Sequence, residues 1–213
     1  MRCLLIIFLL LPNFIYAQSA ASRLIQEATF NYRLGNYQTT ITHSEQADNL
    51  IDRSNIILLT DNYVNWSSAL IALGRFNEAI TIGRRAQQFA PFELRIMQNL
   101  IEAYFQTNNH SEALPLIQQY IAINPTGNLV GRFYFYMGEI YLGQSLFNHA
   151  DVAFSVAVHH TPNLALWWYR LGYAREMTRN FIGANHAYNE ALRLNPSFTE
   201  VRRRQAAILP QIR

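Results

Sequence analysis

Lysine is missing from this sequence; all 17 basic residues are arginine. That excludes chemistry built on a lysine amine, such as a Schiff base or a phosphate-loop lysine. Cysteine occurs once, at Cys3, so the chain can close no internal disulfide. Charged side chains make up only 15% of the residues, against roughly a quarter in ordinary domains; Asn and Gln carry much of the polar surface instead. The formal net charge of +3 gives no electrostatic case for nucleic acid. No HExxH, GxSxG or Gly-rich phosphate loop occurs. The histidines make no ligand set either: His149 and His159 are ten residues apart on one expected helix, about 15 Å along its axis. Adjacent His159 and His160 point roughly 100° apart, which leaves His186 without companions. No metal, no cofactor and no catalytic activity are expected.

Long apolar runs are confined to the start. Arg2 precedes an uninterrupted apolar stretch over residues 3–11, Pro12 and Asn13 break it, and Ala17 is a small residue before Gln18. This reads as a secretory signal peptide, residues 1–17, cut after Ala17. The run falls short of the about 20 apolar residues that cross a membrane comfortably; an uncleaved membrane anchor is the alternative. Cleavage removes Cys3 and Arg2, leaving 16 Arg against 14 acids. An exported protein follows, periplasmic if bacterial and otherwise secreted.

What the chain does have is a period. Ala184, Tyr188, Ala191 and Pro196 stand 34 residues after Ala150, Phe154, Ala157 and Pro162. The match extends upstream: Trp168, Leu171, Gly172 and Phe181 follow Tyr134, Met137, Gly138 and Phe147 at the same offset. Eight sites at one offset identify an internal repeat. Pro125, with Leu100, Tyr104 and Ala113, closes a further unit. Pro91, with Gly74, Phe76, Ala79 and Ala86, closes another, and Gly35, Tyr37 and Ala47 mark a first. Units are placed at 21–54, 60–93, 94–127, 131–164 and 165–198, with extra residues at 55–59 and 128–130. Within a unit the apolar residues recur at three- and four-residue spacing, so each unit reads as two helices. Gly172 and Ala184 are small where those helices cross, Arg179-Asn180 turns the chain, and Pro196 ends the second helix.

These residues resemble the tetratricopeptide repeat family, whose 34-residue helix-turn-helix units carry an aromatic, Leu, Gly, Tyr, Ala, aromatic, Ala and Pro signature. The resemblance covers residues 21–198, with departures. Arg175 stands where Tyr141 supplies the family's Tyr; Ser67 and Ile101 replace the crossing glycine; Gly83 replaces the second-helix aromatic; and Asp52 replaces the closing proline. The resemblance implies an all-α fold, a right-handed superhelical solenoid of about five units over 18–213, with 199–213 as a capping helix. In that cap Val201, Gln205, Ile208 and Leu209 are expected to face the last repeat, and Arg202 to Arg204 to face water.

The resemblance also implies that first helices line a concave groove. Their second face carries Gln98, Asn99, Glu102 and Phe105; then Arg132, Phe135, Tyr136 and Glu139; then Tyr169, Arg170, Tyr173 and Glu176. Tyr and Arg are the side chains that most often anchor protein surfaces. A peptide or partner helix is the expected occupant, with closure of inter-repeat gaps as the alternative role of each aromatic. Glu102 and Glu139 are expected to pair with Arg132. The absence of lysine sets aside the clamp by which some family members hold chaperone C-termini. Expected, then, is a non-catalytic scaffold or adaptor of the cell envelope, with a self-assembling structural subunit as the alternative. Membrane contact would come only through an uncleaved signal or the Arg202–Arg204 patch.

Overall fold

The computed structural model describes the backbone from residue 2 to 212 and the side chains from residue 18 to 212. Most of the expected signal segment's chemistry therefore lies outside the described residues. Eleven α-helices and one short 3-10 turn make up the fold, with no strand among the described residues. The helices pair as α1 (Arg2–Arg33) with α2 (Tyr37–Asp48), α3 (Ile56–Ala72) with α4 (Phe76–Gln87), and α5 (Leu94–Gln106) with α6 (His110–Ile123). They continue as α7 (Val130–Gly143) with α8 (Phe147–His160) and α9 (Ala165–Met177) with α10 (Phe181–Leu194), before a single α11 (Thr199–Ile208). No described helix is long and apolar enough to cross a membrane. The chain forms two compact units, Met1–Leu116 and Ile117–Arg213, divided within α6.

Each pair turns through one residue in the left-handed backbone region: Gly35, Gly74, Asn108, Ser145 and Arg179, with φ between 56° and 80°. That conformation stops the first helix, because a left-handed residue cannot continue it. Asn180 then starts α10, its side chain accepting from the Gly183 N–H at 3.0 Å; this satisfies one of the four amides that open any helix. The extra residues at 55–59 lengthen a helix. Residues 56–59 form the first turn of α3, capped by Asn55, which accepts from the Leu58 N–H at 3.2 Å, and Leu59 is buried.

In the second unit the crossings are aromatic on glycine. A Cβ at Gly138 would lie 2.4 Å from the Phe154 ring, and one at Gly172 2.4 Å from the Tyr188 ring. Ala150, Phe154, Ala157, Leu171 and Ala174 form one core, and Tyr188, Ala191, Val201 and Ile208 another. The first unit solves the same crossing differently. With Gly83 in place of the aromatic, Leu100 of α5 fills the gap, 2.7 Å from where a Cβ would stand. The opposite position is then free to be Ser67, buried, donating its hydroxyl to the Tyr63 carbonyl at 2.7 Å.

The first unit also has the more polar interior. Thr40, Ser44 and Asn62 are fully buried, and Asn62 Nδ2 donates to the Ser44 carbonyl at 3.0 Å. Asp48, at the end of α2, takes Arg53 at 2.7 Å and Arg85 at 3.1 Å. Burial pushes its carboxyl up, but the hydrogen bonds and charges of Arg53, Tyr63 and Arg85 outweigh this and hold it below the usual carboxylate value.

Candidate functional site

The expected site residues fall in both units, and many are occupied in holding one repeat to the next. A recurring contact runs from a first helix to the preceding first helix. In the first unit Asn65 Nδ2 donates to Thr29 Oγ1 at 2.8 Å, and 34 residues later Asn99 Nδ2 donates to Ser68 Oγ at 2.9 Å and Ser67 Oγ at 2.8 Å. In the second unit the same register places Arg170 Nε 2.8 Å from Glu139 Oε1, and the Arg204 guanidinium over Tyr173, 4.3 Å from the ring centroid. Asn99, Glu139, Arg170 and Tyr173 are thus rungs between repeats.

Two expectations are corrected here. Glu139 pairs with Arg170 rather than Arg132, because Arg170 arrives from the neighbouring helix while Arg132 points to solvent. The Arg170–Glu139 contact is short but not aligned as a hydrogen bond, and neither atom has another partner. Burial accordingly raises the Glu139 carboxyl, with Arg170 opposing. The second correction concerns the cap. Arg202 and Arg203 are exposed, but Arg204 turns inward, bonding Glu176 at 3.1 Å and Glu200 at 2.9 Å. Leu209 begins the 3-10 turn and is half exposed, so Val201 and Ile208 alone anchor the cap's apolar face. Gln205 joins them with two amide contacts, to Asn185 at 2.8 Å and Asn189 at 2.7 Å.

The remaining aromatics pack partly onto the next repeat and partly within their own pair. Phe135 stacks on Trp167, 4.9 Å between centroids and 12° between planes, and Tyr136 is buried against Phe133. Tyr169 lies between Tyr188 and Phe198. Glu176 accepts from the Tyr188 hydroxyl at 2.5 Å; burial first, and this bond second, push the Tyr188 phenol far above its ordinary value. In the first unit Phe105 stacks against His110, and Glu102 accepts from Gln106 at 3.0 Å. Gln98 is half-buried on α5 and Arg132 is exposed on α7.

Sequence reasoning passed over the open part of the first-helix face. A cavity of about 410 Å³ lies across three first helices of the first unit: Gln26 and Thr29 of α1, Leu58, Asp61 and Asn65 of α3, and Arg95 of α5. Arg95 is held by Asp61 at 3.0 Å and Glu93 at 2.8 Å, which fixes its guanidinium at the rim. Gln26 is exposed, and Asn65 commits only its amide nitrogen, to Thr29, so its oxygen is left to accept. The signal was in the period: stepping back from Asn99 by one repeat gives Asn65, and by the next, lengthened by residues 55–59, gives Gln26. No group of three His, Cys, Asp or Glu among the described residues is arranged to hold a metal.

No family model and no curated protein matches this sequence. Solved structures do. A MamA from strain MSR-1 is 18% identical, with 85% of this chain and 98% of that chain covered at a TM-score of 0.66. MamA from Desulfovibrio magneticus RS-1 is 17% identical, covering 84% and 97% at a TM-score of 0.71. YrrB, described as a TPR protein with an unusual peptide-binding site, is 16% identical, covering 86% and 90% at 0.72. Identities this low speak for architecture and not for activity. The paired helices, the left-handed turn in every pair, the glycine–aromatic crossings and these likenesses agree: this chain has the all-α tetratricopeptide-repeat fold.

Proposed function

We propose that this protein is a non-catalytic scaffold that holds a peptide or partner helix against the first helices of its repeats. The observation that carries the reading is the cavity across α1, α3 and α5. It spans three repeats, has an apolar floor at Ile25 and Leu58, and offers amide and carboxylate acceptors at its rim. Such a surface suits an extended segment, whose own backbone supplies the donors. The likeness to YrrB, with its peptide-binding site, supports the same class of partner. The signal-like start supports an exported protein, acting in the periplasm or outside the cell.

Crosslinking co-purification from the native host tests the reading. Gln26→Arg adds a long cation beside Arg95 at an exposed position, so the helical signal and melting curve should not change. A partner captured by the native protein should be lost at least tenfold from the variant. Equal capture by both would overturn the assignment to this face. N-terminal sequencing of the same native material should begin at Gln18; a retained residue 1 would overturn export by cleavage.

A further inference from the structure

We propose that the crevice bounded by α8, α9 and α10 binds a carboxylate carried on a small apolar body. Its volume is about 420 Å³, and Val158, Leu171 and the Trp168 indole supply its walls. Three nitrogen-bearing groups converge on it: Arg175, His159 and His186, with no acidic side chain in the lining. A few convergent polar groups in an otherwise apolar hollow of this size are the general pattern of a small-molecule site.

Arg175 is the centre of the site. It departs from the repeat's own pattern, since Tyr141 holds the equivalent place one unit earlier. Its guanidinium is fixed by Asp151 at Nε, 2.9 Å away, by Ser155 Oγ at Nη2, 3.1 Å away, and by the Gly183 carbonyl at Nη1, 3.4 Å away. A guanidinium has five N–H donors, so two remain for a ligand. Asp151 holds Arg175 without joining the wall. His186 packs edge-on to Trp168, and neither His159 nor His186 has an ion-pair partner among the described residues. Each imidazole offers an N–H donor. A planar carboxylate meets such donors in forked geometry, while its apolar body lies on the indole.

The preceding unit provides an internal contrast. Tyr134, Met137, Tyr141 and Val152 stand at the positions of Trp168, Leu171, Arg175 and His186, and line a crevice of about 310 Å³. Part of the hollow recurs between α7 and α8, with His149 in its lining, whereas the guanidinium is particular to one copy. This inference shares no residue with the cavity of α1, α3 and α5.

Calorimetry on the full chain with 3-phenylpropionate, its uncharged amide, and N-acetyl-Gly-Gly-Phe as the free acid is the test. The acid should bind one site, at least tenfold tighter than the amide, and should shift the ring signals of His159 and His186 in NMR spectra. Arg175→Tyr installs the side chain the scaffold already accepts at Tyr141 and should abolish the preference. His186→Val, which copies Val152 of the preceding unit, should weaken the acid several-fold and leave the amide unchanged. That second variant keeps the test decisive if Arg175→Tyr fails to fold. Binding of the small acid alone identifies a free acid as ligand, and binding of the peptide identifies a chain terminus; both support the site. No saturable binding, equal binding of acid and amide, or an unchanged preference in both variants overturns it.

Discussion

Arg179 and Ser145 sit at φ of 63° and 59°, where Gly35 and Gly74 occupy the equivalent turns without a Cβ to strain. A non-glycine residue there costs about 1–2 kcal/mol, partly offset by the unfolded-state entropy that a glycine would add. Ser145→Gly and Arg179→Gly should each stabilise by about 0.5–1 kcal/mol, seen as a rise of a few degrees in Tm. Asn108→Gly should be close to neutral, because Asn tolerates the left-handed region. Asp48 makes the opposite kind of prediction. Its two arginines are charge-assisted partners worth about 2 kcal/mol together with the buried geometry they satisfy, so Asp48→Asn should cost about that much at pH 7. Because the folded carboxyl is held below its unfolded value of about 3.9, its contribution is complete above that pH and is lost as acid titrates it below. Urea melts of native and variant protein should therefore converge between pH 4 and the lower folded value.

At the level of the helix pair, volume is conserved across the crossing rather than at either residue. Gly138 and Gly172 face rings, whereas Ser67 faces Gly83 and needs Leu100 from the next pair. Gly172→Ala gains about 1 kcal/mol of helix propensity. It also drives a methyl into the Tyr188 ring, which its hydroxyl bond to Glu176 keeps from swinging away. Overpacking of this kind costs about 1–3 kcal/mol, so destabilisation should win. Gly143→Ala has open space around it and should stabilise; a chemical melt of the two variants side by side checks both signs. The period made the pairs, their turns and the crossings at Gly138 and Gly172 legible in the sequence. Helical spacing does not say which neighbour a first-helix side chain reaches. Phe135 thus reads equally as ligand-facing or as closing the gap to the next repeat, where its ring stacks on Trp167. The cavity at Gln26, Asp61 and Asn65 escaped notice because it is lined by small polar groups rather than aromatics.

Across the whole molecule, each of the two units has its own core, and α11 belongs to the second. It follows α9 at an offset of 34, with Val201, Arg204 and Ile208 at the places of Trp167, Arg170 and Ala174. It therefore stands at the place of a first helix in a sixth pair. Ending the chain after Phe198 would expose the residues that Val201 and Ile208 cover, at about 1.5–3 kcal/mol for each side chain. In a repeat stack such losses stay local. Amide exchange in α9 and α10 should accelerate, while α1 to α4 keep their protection; equal acceleration in both units would show them unfolding together.

The contact register between first helices sets how such a chain can grow. Arg170 meets Glu139 across one joint, and Arg204 meets Tyr173 across the next. A tandem duplication of residues 165–198 would set a second Arg170 over the first Tyr173, where Arg204 now lies, and a second Tyr173 beneath Arg204. Both new joints would be made from pairs of side chain types already in use at that contact. Lengthening by a whole period is thus nearly seamless. The gene carries, in this spacing, a rule for its own extension.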